Sequence, residues 1–195
     1  MLPLLRRKRK PGDRDPALSG GRARRPGVRT SPGSVHAVPM DSPEQDTGKV
    51  TVVYTDGACR GNPGPGGWGW AVDGKRSGTG SDLHGSGGEP HTTNQRMEIT
   101  AVIEALRSID GDVHVVSDST YVVNCFRQKW WVGWKRKGWR NSQGKPVANR
   151  DLWEALLELA LDPKRRVTFE WVKGHSGDPM NDWVDQLATE AAALE

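Results

Sequence analysis

Val50-Thr51-Val52-Val53-Tyr54-Thr55-Asp56 is an apolar, β-branched run that closes on a carboxylate. Its composition and alternation predict a strand over residues 50–55. A second run, Val113-His114-Val115-Val116-Ser117-Asp118, ends in the same way and predicts a strand over 112–117. In open α/β sheets, reactive groups collect beyond the carboxyl ends of the strands. If these two strands are parallel neighbours, Asp56 and Asp118 meet. Between them Ile99, Val102, Ile103 and Leu106 recur at helical spacing, and Thr92 or Thr93 can cap that helix. Glu98 shares a face with Val102 and Ala105, so it looks toward the sheet. One strand-end aspartate is an ordinary turn residue. Two of them with a core-facing glutamate point to a cation, because gathered carboxylates repel and lose hydration. Hard divalent ions such as Mg²⁺ prefer such oxygen ligands. A fourth acid is expected in the last helix, where Asp178, Asp182 and Asp185 compete.

The 195 residues allow one domain with a real core and an appendage. Residues 1–48 carry ten Lys/Arg against five Asp/Glu, leaving 18 against 19 in the remainder. This N-terminal stretch is rich in Arg, Pro and Gly and lacks apolar periodicity, so a disordered tail is expected. Arg6-Arg7-Lys8-Arg9-Lys10 reads as a solvated charge run. Met1-Leu2-Pro3-Leu4-Leu5 is too short for a secretory core, and Pro3, Pro11 and Gly12 oppose a presequence helix. Met40 is a second candidate start, since domain-like sequence begins just after it. No apolar run approaches the roughly 20 residues that span a bilayer. Cys59 and Cys125 make no disulfide framework, and a reduced, cytoplasmic protein is expected. Nothing marks a dimer interface or an obligate protein partner, so a monomer is expected.

From residue 49 the pattern is that of a mixed α/β domain, 49–195. Further strands are expected at Trp68–Val72, near 76–84 and at Val167–Val172. Helices are expected over 119–127, through Leu152, Leu156, Leu157 and Leu159, and through Val184, Leu187, Ala188 and Ala191. Asp178-Pro179 supplies a cap and a first-turn proline for the last helix. Residues 127–150 hold eight Lys/Arg and no acid, interleaved with Trp130, Trp131, Trp134 and Trp139. Such a patch can neutralise phosphates while its aromatics pack on sugars.

Four segments carry a resemblance. Tyr54-Thr55-Asp56-Gly57-Ala58-Cys59-Arg60-Gly61-Asn62-Pro63-Gly64-Pro65-Gly66-Gly67 resembles the first signature of the type 1 ribonuclease H family. Thr92-Thr93-Asn94-Gln95-Arg96-Met97-Glu98 resembles the second and Ser117-Asp118-Ser119-Thr120-Tyr121 the third. Trp171-Val172-Lys173-Gly174-His175-Ser176-Gly177, followed by Asn181 and Asp185, resembles the fourth. Each segment alone is weak, but four in order over residues 50–193 are specific. The resemblance implies a ribonuclease H-like fold, a five-stranded mixed sheet flanked by helices. It implies endonucleolytic cleavage of the RNA strand of an RNA/DNA hybrid, leaving 5′-phosphate and 3′-hydroxyl ends. It places metal binding on Asp56, Glu98, Asp118 and Asp185, with two Mg²⁺ ions and Mn²⁺ as a substitute. Asp178 then remains the helix cap. His175 is implied as a proton shuttle or product-release group.

The resemblance also implies substrate contacts. Cys59, Asn62, Asn94 and Gln95 match RNA-strand contacts, and RNA is told from DNA by its 2′-hydroxyl. Thr93 and Asn149 match a DNA-phosphate pocket, although His91 stands where an arginine is frequent and Ala148 where a basic residue is frequent. The basic, tryptophan-rich stretch resembles the family's handle. There Trp130 and Trp134 line a DNA channel, Lys135, Arg136 and Lys137 meet phosphates, and Trp139 and Trp153 mainly pack. Integrases, transposases and junction resolvases share the fold and acidic clusters but lack this motif order and the handle. A hybrid-binding module without catalysis would normally have lost a carboxylate.

Overall fold

The computed structural model describes residues 48–80 and 83–195. The tail expected over 1–48, save Gly48, and the alternative start at Met40 lie outside them. Eleven elements follow in chain order: β1 (Thr51–Cys59), β2 (Gly64–Val72), α1 (Gly74–Ser77), β3 (His84–Thr92), α2 (Asn94–Ser108), β4 (Val113–Ser117), α3 (Thr120–Arg127), α4 (Trp130–Arg136), α5 (Arg150–Ala160), β5 (Val167–Trp171) and α6 (Pro179–Ala193). The strands form one sheet in the order β3-β2-β1-β4-β5. β1 pairs antiparallel with β2 and parallel with β4, and β4 pairs parallel with β5. This is the expected five-stranded mixed sheet flanked by helices.

The sheet buries both faces. On one, Val53, Val113 and Val115 pack with Ile99, Val102 and Leu106 of α2, Val122 of α3, and Trp153 and Leu156 of α5. The helical stripe read from the sequence is the buried stripe of α2. On the other face, Val52, Tyr54, Ala71 and Val116 meet Val184 of α6. Among the described residues no helix is long and apolar enough to cross a membrane.

Three boundaries differ from the sequence reading. β1 runs past Asp56 to Cys59, because antiparallel pairing with β2 continues after the parallel ladder with β4 stops at Tyr54↔Val116. β2 starts at Gly64, so most of the glycine-rich turn is strand. The strand expected near 76–84 is instead the one-turn helix α1, and β3 begins at His84. Asp73 Oδ1 caps α1 by accepting from Lys75 N and Arg76 N, each at 3.0 Å, and Gly78 ends it at φ 60°. β3 escaped notice because glycines replace apolar residues along it. A Cβ on Gly85 would lie 2.8 Å from the Trp70 ring, and one on Gly87 would lie 2.6 Å from Trp68.

The α6 face is equally close. A Cβ on Gly67 would meet Ala188 O, and would lie 2.5 Å from Ala192 N. Gly69 has the same relation to Leu187 Cβ and Val184 O, both at 2.8 Å. Gly67→Ala should therefore lift α6 from β2 and cost about 2 kcal/mol or more in urea unfolding. Gly133→Ala, at a helical position with nothing within 4 Å of the added carbon, should instead stabilise by about 0.5 kcal/mol. Equal effects of the two substitutions would refute the close-approach account.

Candidate active site

β1 and β4 are in parallel register, with Tyr54 opposite Val116. Asp56 and Asp118 each lie two residues further on, so their carboxylates arrive level at the point where the two strands part. Asp56 lies opposite Gly69 on its other side. Glu98 reaches the same place because α2 crosses β1 over Gly57. An added Cβ at Gly57 would collide with Glu98 N and lie 2.8 Å from Met97 Cβ. No side chain separates the two backbones there. From the remaining side the turn after β5 presses on Asp118, since a Cβ at Gly174 would strike Asp118 Oδ2. Trp171 Nε1 donates to Asp118 O at 3.0 Å, and Val172 N to Ser117 O at 3.1 Å. Asp185 follows Val184, which is fully buried against the sheet.

The four carboxylates act on one another electrostatically. Burial, followed by the Asp118 charge, pushes Asp56 from 3.8 up to about 8, with Asp185 and Glu98 adding to the rise. Gly57 N donates to Asp56 Oδ1 at 2.7 Å and only partly opposes it. Glu98 is raised too, first by burial and then by Asp118. Two donors hold it: Ser119 Oγ to Oε2 at 2.7 Å and Asn94 Nδ2 to Oε1 at 3.0 Å. Among the described residues none of the four carboxylates is ion-paired with Lys or Arg. Such an all-oxygen, mutually repelling set fits a hard divalent cation. Among the described residues no three Asp, Glu, His or Cys side chains lie close enough together to hold a metal ion by themselves. That also fits Mg²⁺, which commonly takes one or two carboxylates and completes its shell with water and substrate phosphate.

Other sequence-derived candidates fall in three places. Asn62 and Asn94 flank the carboxylates, and Asn94 N donates to Asn62 Oδ1 at 3.3 Å. Gln95 is exposed one residue on. The Cys59 thiol is engaged by the fold, lying 3.5 Å from Gly64 O and 3.6 Å from Thr92 O. Thr93 caps α2, its Oγ1 accepting from Arg96 N at 3.4 Å. Asn149 starts α5 at φ 56°. A two-pronged bridge from Arg96 to Asp151, 3.1 and 2.9 Å, holds the first turns of α2 and α5 together, so the Thr93 and Asn149 ends face one region. His175 is exposed at φ 51° in the turn after β5. No hydrogen bond joins it to the carboxylates among the described residues.

The handle stands apart from the carboxylates. In α4, Trp130 and Trp134 have ring centroids 6.3 Å apart. Trp134 also contacts Trp139 at 6.1 Å and Trp153 at 5.5 Å, and Trp153 is fully buried. Trp134 is therefore as much an anchor as a surface residue. Lys135 lies over Trp131 at 5.5 Å, while Arg136 and Lys137 are exposed.

The roles of Ser119 and Gly57, and the contact of Gly174 with Asp118, are not legible in the sequence. Ser119 caps α3 and orients Glu98 at once. A serine next to a strand-end aspartate and ahead of a helix was its available signal. The two glycines each follow or approach a carboxylate and carry no signal beyond their lack of a side chain.

The metal-free cluster has a stability signature. Unfolded, Asp56 titrates near 3.8; folded, near 8. Between those values the folded chain holds a proton that the unfolded chain has released. Stability therefore falls as pH rises through that window. Asp56→Asn should raise the melting temperature in chelator by about 5 °C or more at pH 8, and the gain should vanish near pH 4. A gain independent of pH would refute the electrostatic origin.

Comparison with known proteins agrees with this geometry. The RNase H family model matches residues 48–193. Ribonuclease H of Syntrophomonas wolfei is 50% identical over 147 residues, which is 73% of this chain and 96% of that protein. Ribonuclease H of Thermus thermophilus is 49% identical over 146 residues, 74% of this chain and 84% of that protein. Among solved structures, LC9-RNase H1, a type 1 RNase H with the type 2 active-site motif, superimposes with a TM-score of 0.62. It is 32% identical and the match covers 75% of this chain and 73% of that chain. LC11-RNase H1, solved with an RNA/DNA hybrid, gives 0.56 at 25% identity, over 74% of this chain and 99% of that one. By sequence over most of its length and by the topology that carries its carboxylates, the chain belongs to the RNase H family, in its type 1 branch.

Proposed function

We propose that the protein hydrolyses the RNA strand of RNA/DNA hybrids with Mg²⁺ held by Asp56, Glu98, Asp118 and Asp185, leaving 5′-phosphate and 3′-hydroxyl ends. Residues 49–195 form the catalytic domain, acting as a monomer in the cytoplasm. The observation that carries the reading is the level placement of Asp56 and Asp118 at the β1/β4 fork, with Glu98 brought over Gly57. Enzymes of this family depend on divalent metal. Asp56, Glu98, Asp118 and Asp185 would hold two Mg²⁺ ions, or Mn²⁺ in their place, and the bound metal would supply activation of water and stabilisation of the departing 3′-oxygen.

The chain's own residues do the rest. Ser119 and Asn94 fix both oxygens of Glu98, so its orientation is set before substrate arrives. The Gly174 turn fixes Asp118. The His175 imidazole, exposed in the turn after β5, exchanges a proton with the reacting groups or assists product departure. Asn62, Asn94, Gln95 and the backbone near Cys59 read consecutive 2′-hydroxyls. Thr93 and Asn149, at adjoining helix N-termini, take a DNA phosphate. Trp130 and Trp134 line the path of the DNA strand, and Lys135, Arg136 and Lys137 neutralise its phosphates.

A labelled hybrid should be cut on its RNA strand while duplex DNA and duplex RNA of the same sequence survive. Asp56→Asn should lower the rate by about 10²-fold or more and leave hybrid binding intact. Equal cutting of duplex DNA would promote an integrase-like reading. Replacing Lys135, Arg136 and Lys137 with alanine should weaken hybrid binding, and flatten its log–log salt slope by about 0.9 for each lost contact. An unchanged slope would remove the handle from the interface.

A further inference from the structure

The N-terminus of α6 is tied to the sheet by a buried hydroxyl. Tyr54 is 4% exposed and lies on the same face of β1 as Asp56, two residues before it. Its hydroxyl donates to Asp178 Oδ2 at 3.0 Å. The other oxygen of that carboxylate, Oδ1, caps α6 by accepting from Met180 N at 3.0 Å and Asn181 N at 3.4 Å. The tyrosine oxygen accepts in turn from Arg76 Nη1 at 3.1 Å. Arg76 Nη2 donates to Glu170 Oε2 at 2.8 Å, an oxygen that also meets His114 Nε2 at 2.8 Å. A continuous chain of polar contacts therefore runs from β4 and β5, through α1 and β1, to the cap of α6.

α6 is seated on β2 near its middle, where Val184, Leu187 and Ala188 lie against Gly69 and Gly67. That contact fixes the helix from Val184 onward, while Met180 and Trp183 before it are only partly buried against the sheet. The Tyr54–Asp178 bond fixes a second point seven residues before Asp185, about 10 Å along the helix axis. The cap and the seat bracket the first two turns of α6, and Asp185 stands at their end, next to Val184. Tyr54 sits on the same strand as Asp56, about 7 Å away along it. The bond thus references α6 to the strand whose aspartate Asp185 must face.

We propose that Tyr54 and Arg76 are positioning residues for Asp185, setting its distance from Asp56 by clamping the cap of α6 to β1. The proposal rests on Asp185 being a metal ligand. The phenol supplies what packing alone does not: it satisfies Oδ2 of a half-buried carboxylate whose other oxygen is taken by helix amides. Without it that oxygen must find water, which draws the cap outward and loosens the first two turns of α6, at whose end Asp185 stands. Arg76 holds the phenol in its donating orientation, because an N–H pointed at the tyrosine oxygen leaves the hydroxyl proton free for Asp178.

Tyr54→Phe keeps the ring in its apolar setting and removes only the hydroxyl. Calorimetric titration of the full chain with Mn²⁺ should show affinity about fivefold weaker, as expected for loss of a hydrogen bond to a charged group. The Mg²⁺ concentration for half-maximal cleavage should rise by a similar factor, with KM for the hybrid unchanged. Amide exchange should quicken over residues 179–185 and stay constant over 188–193. Arg76→Gln should move the same readouts in the same direction. Unchanged Mn²⁺ affinity in Tyr54→Phe, alongside a lowered melting temperature, would overturn the proposal and leave the bond as packing. Asp185→Asn separates the two levels. If it weakens Mn²⁺ binding and Tyr54→Phe does not, positioning alone fails. If Asp185→Asn leaves Mn²⁺ affinity unchanged, the ligand reading fails and the proposal falls with it.

Discussion

Two carboxylates held level at the ends of adjacent parallel strands repel each other, and the architecture of the site is organised around that repulsion. The β1/β4 register cannot relax it, because sliding one strand by a residue would turn every buried valine of that strand to the opposite face. The valines, in effect, hold the aspartates together. Burial first and this repulsion second push Asp56 up to about 8, so without metal it holds a proton. In the proposed function this local destabilisation leaves a cation's ligands assembled in advance, the usual trade between stability and function at a preorganised site.

The second organising device is the absence of side chains. Gly57 under α2 and Gly67 and Gly69 under α6 let backbone meet backbone at three places around the site, and Gly174 admits the Asp118 side chain at a fourth. Contacts of this kind are shorter and stiffer than contacts through rotatable side chains. They bring elements carrying Glu98, Asp118 and Asp185 to a common centre with little freedom of adjustment. The polar bonds of Ser119, Asn94 and Tyr54 then set orientation within that frame.

What the sequence made legible follows from this. Apolar periodicity marked α2, β1 and β4, because those elements bury one face in the core, and their carboxylates stood out against the pattern. The last helix was marked by Asp178-Pro179. β3 and α1 were not legible. β3 is an edge strand whose glycines accommodate Trp68 and Trp70, so it has no alternation to read, and α1 is a single capped turn. The roles of Ser119 and Tyr54 were hidden for another reason. Each makes its decisive bond to a residue distant in sequence, Glu98 and Asp178 respectively, and only the folded register brings them together. The dual character of Trp134 was likewise invisible, since helical spacing paired it with Trp130 but could not show Trp153 beneath it.

The tryptophan ladder from Trp153 through Trp134 to Trp130 has a thermodynamic consequence. A basic arm joined to its domain by a flexible linker would lose conformational freedom each time it gripped a duplex, and that loss would be subtracted from affinity. Here α4 is anchored by an indole wedged against a fully buried one, so its ordering is completed when the chain folds. In the proposed function nucleic acid would meet a surface already shaped, and less of the electrostatic attraction of the cations on α4 would be lost to ordering.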